Sequence, residues 1–297
     1  MRARVVIVGS VNEDLNLNVA RLPAPGETVG EAAMGTSLGG KGANAAVAVA
    51  RLGGAARLVA RLGDDQAGAD ARAQLAAGGV ELDDVVSDSE PTGVAIVVTD
   101  AGGENVIIVA PGANGRLSED DVVTALERLD EAPTAVLSNL EVPMEAVLAA
   151  ARTAQRRGWP FVLDPAPALA LPAELVAACS VLVPNRHELE LLHPRGVEGL
   201  LELGAQAVVT TLGAEGAELW TAAGPRRYDA YTVEVRHTVG AGDAFAGGLA
   251  LRLAENAPLE DALELALAAG ALATRGLGAQ ASLAGREEAV ALMARRR

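Results

Sequence analysis

The stretch HTVGAGDAFAGG, opening at His237, sets three small residues and a carboxylate at the head of an Ala/Leu-rich helical pattern. Gly240, Ala241 and Gly242 leave backbone N–H groups bare where a helix dipole adds partial positive charge, which suits a phosphate or a developing oxyanion. Asp243, in the first turn, has two readings: a helix cap, or a base beside the bound anion. A second cluster, GGKGANAA, brings Gly39, Gly40, Lys41 and Asn44 to the start of another helix. The spacing Gly35, Gly40, Lys41 imitates a Walker A loop, but Gly42 stands where the Mg²⁺-binding Ser or Thr belongs, so that reading fails. What remains is a pair of glycines placing amides beside a ligand, with Lys41 and Asn44 able to donate to hydroxyl oxygens. In VPNRHE, Asn185 and Glu188 follow a strand end, an amide for a phosphate oxygen and a carboxylate for a water of hydrated Mg²⁺. Neither glycine cluster has the Gly-x-Gly-x-x-Gly spacing after a strand, which leaves a nicotinamide-binding fold with little support.

The elements that must hold these groups alternate along the chain. VVIVGS (5–10) reads as a buried strand, GANAAVAVARLGG (42–54) as a helix stopped by glycine, RLVARLG (57–63) as a strand and GADARAQLAAGGV (68–80) as a helix. The rhythm continues through 134–141, 143–158, 160–166, 174–185 and 206–213, predicting an α/β fold with a parallel sheet covered on both faces. Two segments depart from it. Residues 12–38 show period-2 alternation, and 92–110 read as a hairpin around DAGGEN. These are antiparallel signals, so the expectation is one main domain over 1–297 with a small antiparallel lid at the ligand-binding edge of the sheet.

Composition narrows the function. There are 24 Lys and Arg against 39 Asp and Glu, a formal charge of -15, which excludes most nucleic-acid binders. Half the residues are hydrophobic and only 2% aromatic, so Ala, Val and Leu must fill the core. A single cysteine, Cys179, forms no internal disulfide or multi-cysteine metal site and fits a reducing cytoplasm. No uncharged apolar run reaches the length of a membrane span, and the apolar start is too short for a signal peptide.

Together, in this order, GGKGAN, PNxxE and GAGDxFxGG resemble the ribokinase branch of the PfkB carbohydrate-kinase family. The resemblance runs nearly end to end, through GSVNEDLNLNVARLPAPGETV, PTGVAIVV, GENVIIVAPGAN, LSNLEVP, LDPAPA, TTLGAEG and GAQAS. It implies a ribokinase-like α/β fold and an ATP-dependent sugar kinase acting on the 5-hydroxyl of D-ribose, with other small sugars or nucleosides as rivals and a non-catalytic sugar-binding relative as the rival class. The same resemblance implies a sugar site of Asn12, Asp14, Gly40, Lys41, Asn44 and Glu141, with Asp243 as the base and Gly240, Ala241 and Gly242 as the anion hole. Asn185, Thr211, Gly213 and Gly242 would meet the nucleotide, and Glu188 would meet Mg²⁺ through water.

The chain also departs from the family. His237 stands where ribokinases carry an Asp that helps build a monovalent-cation site, and an imidazole cannot replace that hard oxygen ligand, so weak or absent K⁺ dependence is expected. The stretch 193–206 is shorter than its counterpart, and Leu283 replaces a proline. His187 and His193 read as surface residues, and Trp159 and Trp220 as packing residues. Bare apolar lid edges predict a homodimer paired through the lids.

Overall fold

A computed structural model describes residues 2–102, 104–130, 132, 134–276 and 278–295. Its main sheet has nine strands. In spatial order these are β13 (Gly224–Tyr228), β12 (Ala217–Thr221), β11 (Val208–Thr211), β10 (Val181–Leu182), β9 (Phe161–Asp164), β8 (Thr134–Asn139), β1 (Arg4–Val8), β4 (Ala55–Gly63) and β5 (Val80–Asp88). The seven strands from β5 to β11 are parallel; β12 and β13 add an antiparallel edge hairpin. Strands buried on both faces should read as unbroken hydrophobic runs, and β1 does. Val5 and Ile7 enter one core, Val6 and Val8 the other.

The first core lies under α1 (Lys41–Arg51), α2 (Gln66–Ala77), α8 (Ala241–Ala254), α9 (Leu259–Ala273) and α10 (Arg286–Ala294). The second lies under α3 (Glu119–Glu127), α4 (Met144–Arg157), α5 (Ala173–Ala178), α6 (Arg186–Leu192) and α7 (Gly196–Glu202). Few aromatics means close helix packing. A Cβ on Gly247 would meet the Ala45 carbonyl at 3.1 Å, and one on Gly248 would meet Ala266 Cα at 3.4 Å, so α8 lies tight against α1 on one side and α9 on the other.

Two insertions form the lid. One leaves β1 and supplies β2 (Asn12–Asn18) and β3 (Ala33–Gly39); the other leaves β5 and supplies β6 (Gly93–Thr99) and β7 (Asn105–Ala110). Within each insertion the two strands pair antiparallel, as expected, while the two insertions meet through a parallel pairing of β2 with β6. That central pairing is parallel because it joins segments separated by a full βαβ excursion rather than by a turn. Buried Asn114 ties the lid down: its side chain accepts from Val11 N at 2.9 Å and donates to Val11 O at 3.0 Å and Asn12 Oδ1 at 2.7 Å.

Candidate active site

The site forms at the carboxyl ends of β1, β8 and β9, where open α/β sheets present their ligand crevice. Gly40 precedes α1 at φ 89, and a Cβ there would strike Val11 Cα, Ser10 O and Asn12 N at 2.8 Å, so glycine is what lets α1 begin against the β1–β2 turn. Lys41 and Asn44 then face the cleft from the first turns of α1. Across it, Gly240 takes a left-handed conformation with φ 81 and opens α8. Apart from its chain neighbours and its own helix, no atom lies within 4 Å of where a Cβ on Gly242 would sit, so the space beside this glycine is open.

Asp243 is not a cap. Its side chain makes no capping hydrogen bond; Asn44 Nδ2 donates to Oδ2 at 2.8 Å, and Lys41 Nζ lies 3.4 Å from Oδ1. Asn44 is itself oriented, because Gln280 Nε2 donates to its Oδ1 at 3.0 Å. Glu141 accepts from Lys41 N at 3.2 Å and from the Ser10 hydroxyl. The Lys41 ammonium also pairs with Asp164 Oδ2 at 3.0 Å. The side chain of Asp243 is 7% exposed, so its polar atoms are satisfied by Asn44 and Lys41 rather than by solvent.

Charge accumulates in this corner. Burial, then the nearby Glu141 and Asp243, pushes the Asp14 carboxyl up to about 7. Burial likewise raises Asp164 to about 6, with Lys41 opposing the rise and Asp243 and Glu188 adding to it. For Lys41, burial pulls the ammonium down, but Asp164, Asp243 and Glu141 outweigh it and hold the amine firmly protonated.

The residues expected to meet the nucleotide are built differently. Asn185 caps α6: its side chain accepts from Glu188 N at 2.8 Å while Glu188 Oε2 accepts from Asn185 N at 2.8 Å, a reciprocal capping box. A parallel bridge joins Asn185 to Thr211, and Gly213 begins a 3₁₀ turn after β11. Asn185 and Gly213 are exposed, and Glu188 is half-buried. The charge of Glu188 adds to the rise of the Asp164 pKa. His237 lies upstream of α8 with a buried Nδ1 that has no hydrogen-bond partner among the described residues. His187 is exposed, whereas His193 is half-buried and accepts from Arg195 N at 3.2 Å.

Every residue expected at the sugar site thus borders one corner: Asn12, Asp14, Gly40, Lys41, Asn44, Glu141 and Asp243. The sequence reading passed over Asp164, Ser10, Asn114 and Gln280. Asp164 carried a usable signal, since it is an acidic residue ending a buried strand of a parallel sheet. Among the described residues no cluster of three His, Cys, Asp or Glu side chains could cage a metal, and no helix is long and apolar enough to cross a membrane.

The model of the pfkB family carbohydrate kinases matches residues 2–285. The ribokinase of Schizosaccharomyces pombe is 35% identical over 300 residues, covering 94% of each chain. Among solved structures, ribokinase from Thermotoga maritima superposes with a TM-score of 0.88 at 32% identity, covering 98% of this chain and 99% of that one. Arabidopsis thaliana ribokinase complexed with ribose and ATP superposes with a TM-score of 0.87 at 31% identity, covering 99% of both. With Asp243, its two partners Asn44 and Lys41 and the glycine turn in one cleft, and this likeness along the whole chain, the protein belongs to the PfkB family of carbohydrate kinases.

Proposed function

We propose that the chain transfers the γ-phosphoryl group of ATP to the 5-hydroxyl of D-ribose, working as one α/β domain under its lid. The observation that carries this is the buried Asp243, held by Asn44 and Lys41 beside the open turn at Gly242. The sugar hydroxyl donates to Asp243, which takes its proton as the bond to phosphorus forms. Backbone N–H groups of Gly240 and Gly242, at the positive end of α8, receive the phosphoryl charge, and that of Ala241 joins them on leaving Thr238 O, to which it donates at 3.2 Å. Positioning and charge stabilisation supply most of the acceleration in such transfers. Asn12 and Asp14 on the lid, with Glu141, Lys41 and Asn44 below, hold the remaining hydroxyls.

Mg²⁺ fits this donor set. With no three-ligand cage among the described residues, the ion would be held by the nucleotide phosphates and its own waters, with Glu188 meeting one water. Bound there, it neutralises charge on the phosphates. Asn185, Thr211 and Gly213 line the nucleotide side. A K⁺ site does not fit: His237 offers an imidazole where a hard oxygen ligand is needed, so potassium activation is weak or absent.

The lid edge supports a homodimer. On β7, Val106, Ile107, Ile108 and Val109 are 43 to 59% exposed, and Met34 on β3 is 69% exposed. An apolar strand edge of this kind is stabilised by pairing with a second copy. Sedimentation at micromolar concentration should give a dimer; a monomer rejects the lid interface. The function itself is tested by ADP release with ATP and a panel of pentoses, hexoses and nucleosides. Ribose giving the highest kcat/KM supports the reading, preference for deoxyribose or another sugar reassigns the substrate, and no turnover with any of them leaves a sugar-binding relative.

A further inference from the structure

Lys41 is a long cation beside three carboxylates, Glu141, Asp164 and Asp243, and a side chain so placed needs something to decide which one it neutralises. The ammonium lies 3.0 Å from Asp164 and 3.4 Å from Asp243, nearer the residue that has no part in proton transfer. Asp164 is fixed. It ends β9, pairs in register with Asn139 of β8, and is 9% exposed, with Lys41 as its side-chain partner among the described residues. A carboxylate buried at that strand end costs more than an apolar residue of similar size would, so its presence calls for a partner, and Lys41 is that partner.

Removing that anchor has a definite consequence. With Asp164 neutral, Asp243 is the carboxylate that already bonds Lys41 Nζ, and the ammonium would close on it. A tight charge-assisted pair at about 2.7–2.9 Å would lower the proton affinity of the base. We propose that Asp164 is a positioning residue: by sharing the Lys41 ammonium it keeps the contact of that cation with Asp243 long, leaving the base able to accept a proton and the cation beside the phosphoryl path. This inference rests on the reading of Asp243 as the base. The carboxyl of Asp164, although raised to about 6, is ionised at neutral pH and suited to the task.

The test is a double-mutant cycle with a crystallographic arm. Asp164→Asn, Lys41→Met and the double variant are assayed for kcat and for both KM values, with sugar binding by calorimetry and melting temperature measured alongside. Asp164→Asn should lower kcat about tenfold or more with sugar Kd held within threefold, and should move the acid limb of the kcat–pH profile to lower pH. In the Lys41→Met background the same substitution should change kcat less than twofold, since a residue acting through Lys41 has nothing left to position. Crystals of Asp164→Asn should show the Lys41 Nζ–Asp243 contact shortened from 3.4 Å to about 2.8 Å. Asp164→Ser covers the case in which the amide disturbs folding. Additive losses in the cycle, a kcat within twofold of wild type, or an unmoved lysine would each overturn the proposal. A wild-type protein that turns over no sugar would reject the kinase reading alone, and the crystallographic arm would still decide what Asp164 does to Lys41.

Discussion

The two halves of the cleft are built on opposite principles. On the sugar side, Gln280, Asn44, Asp243, Lys41 and Asp164 form a continuous chain of side-chain contacts, and Asn114 fixes Asn12 from beneath. On the nucleotide side, Asn185 and Glu188 satisfy one another as a helix cap and lie near solvent. The difference follows from the ligands. A small polyol is recognised through a few hydroxyls, each of which needs a donor or acceptor already aimed. A nucleotide triphosphate brings its own charge and its own metal, and needs mainly open amides and helix ends. One half is therefore pre-set by buried contacts, and the other is held by local backbone geometry.

That contrast can be broken in steps. Replacing Asp243 by Asn should lower kcat about 10² or more in an ADP-release assay, the range for losing a general base, while sugar affinity changes little. A variant near the wild-type rate would remove the base from the site. Asn114→Ala withdraws three buried hydrogen bonds at the lid root, and the loss of about 1–3 kcal/mol should raise the sugar KM roughly tenfold with the MgATP KM unchanged. Asn185→Ala should do the reverse on a smaller scale, raising the MgATP KM about threefold and costing about 1 kcal/mol of stability through the lost cap, with the sugar KM intact. Equal effects of these two variants on both substrates would show that the halves are not separately built.

The carboxyl of Asp14 gives a pH signature to the sugar half alone. Its folded pKa of about 7 lies above the unfolded value, so the folded state holds a proton that the unfolded chain has released. The stability this contributes is complete below about pH 4 and is lost as pH rises through 7. Melting temperature of the ligand-free protein should fall by roughly a few degrees between pH 5 and 8, and Asp14→Asn should flatten that slope. The smallest effect belongs to the monovalent cation: exchanging Na⁺ for K⁺ should alter kcat less than twofold, and a steep gain would mean that backbone carbonyls beside His237 hold the ion after all.

Much of this was legible before any coordinates. The alternation of apolar runs with Ala-rich helical stretches predicted the parallel sheet, and the glycines around Lys41 and Asp243 marked both helix starts facing the cleft. Local pattern went no further than local structure. Strand β5 was hidden in VELDDVVSD, whose acidic residues obscure its apolar ones, and the β12–β13 hairpin is too short to show clear alternation. Asp243 read equally well as a cap, because the distinction lies in Asn44, 199 residues away. Asp164 and Asn114 were missed for the same reason: their partners, Lys41 and the β1–β2 turn, come from distant parts of the chain and leave no spacing to read.

The glycines of α8 that touch Ala45 and Ala266 act as a ruler. They set the separation between the helix that carries the base and the helix that carries Lys41 and Asn44, and hence the gap in which a hydroxyl must meet phosphorus. A single methyl added at Gly247, 3.1 Å from the Ala45 carbonyl, would push α8 and α1 apart by a few tenths of an ångström, whereas one at Gly248 would sit in ordinary contact with α9. The sheet and both cores would survive such a change, yet the reacting atoms would no longer line up, so the tolerance of this enzyme to mutation is set by spacing in its alanine-rich interior as much as by the residues that touch its substrates.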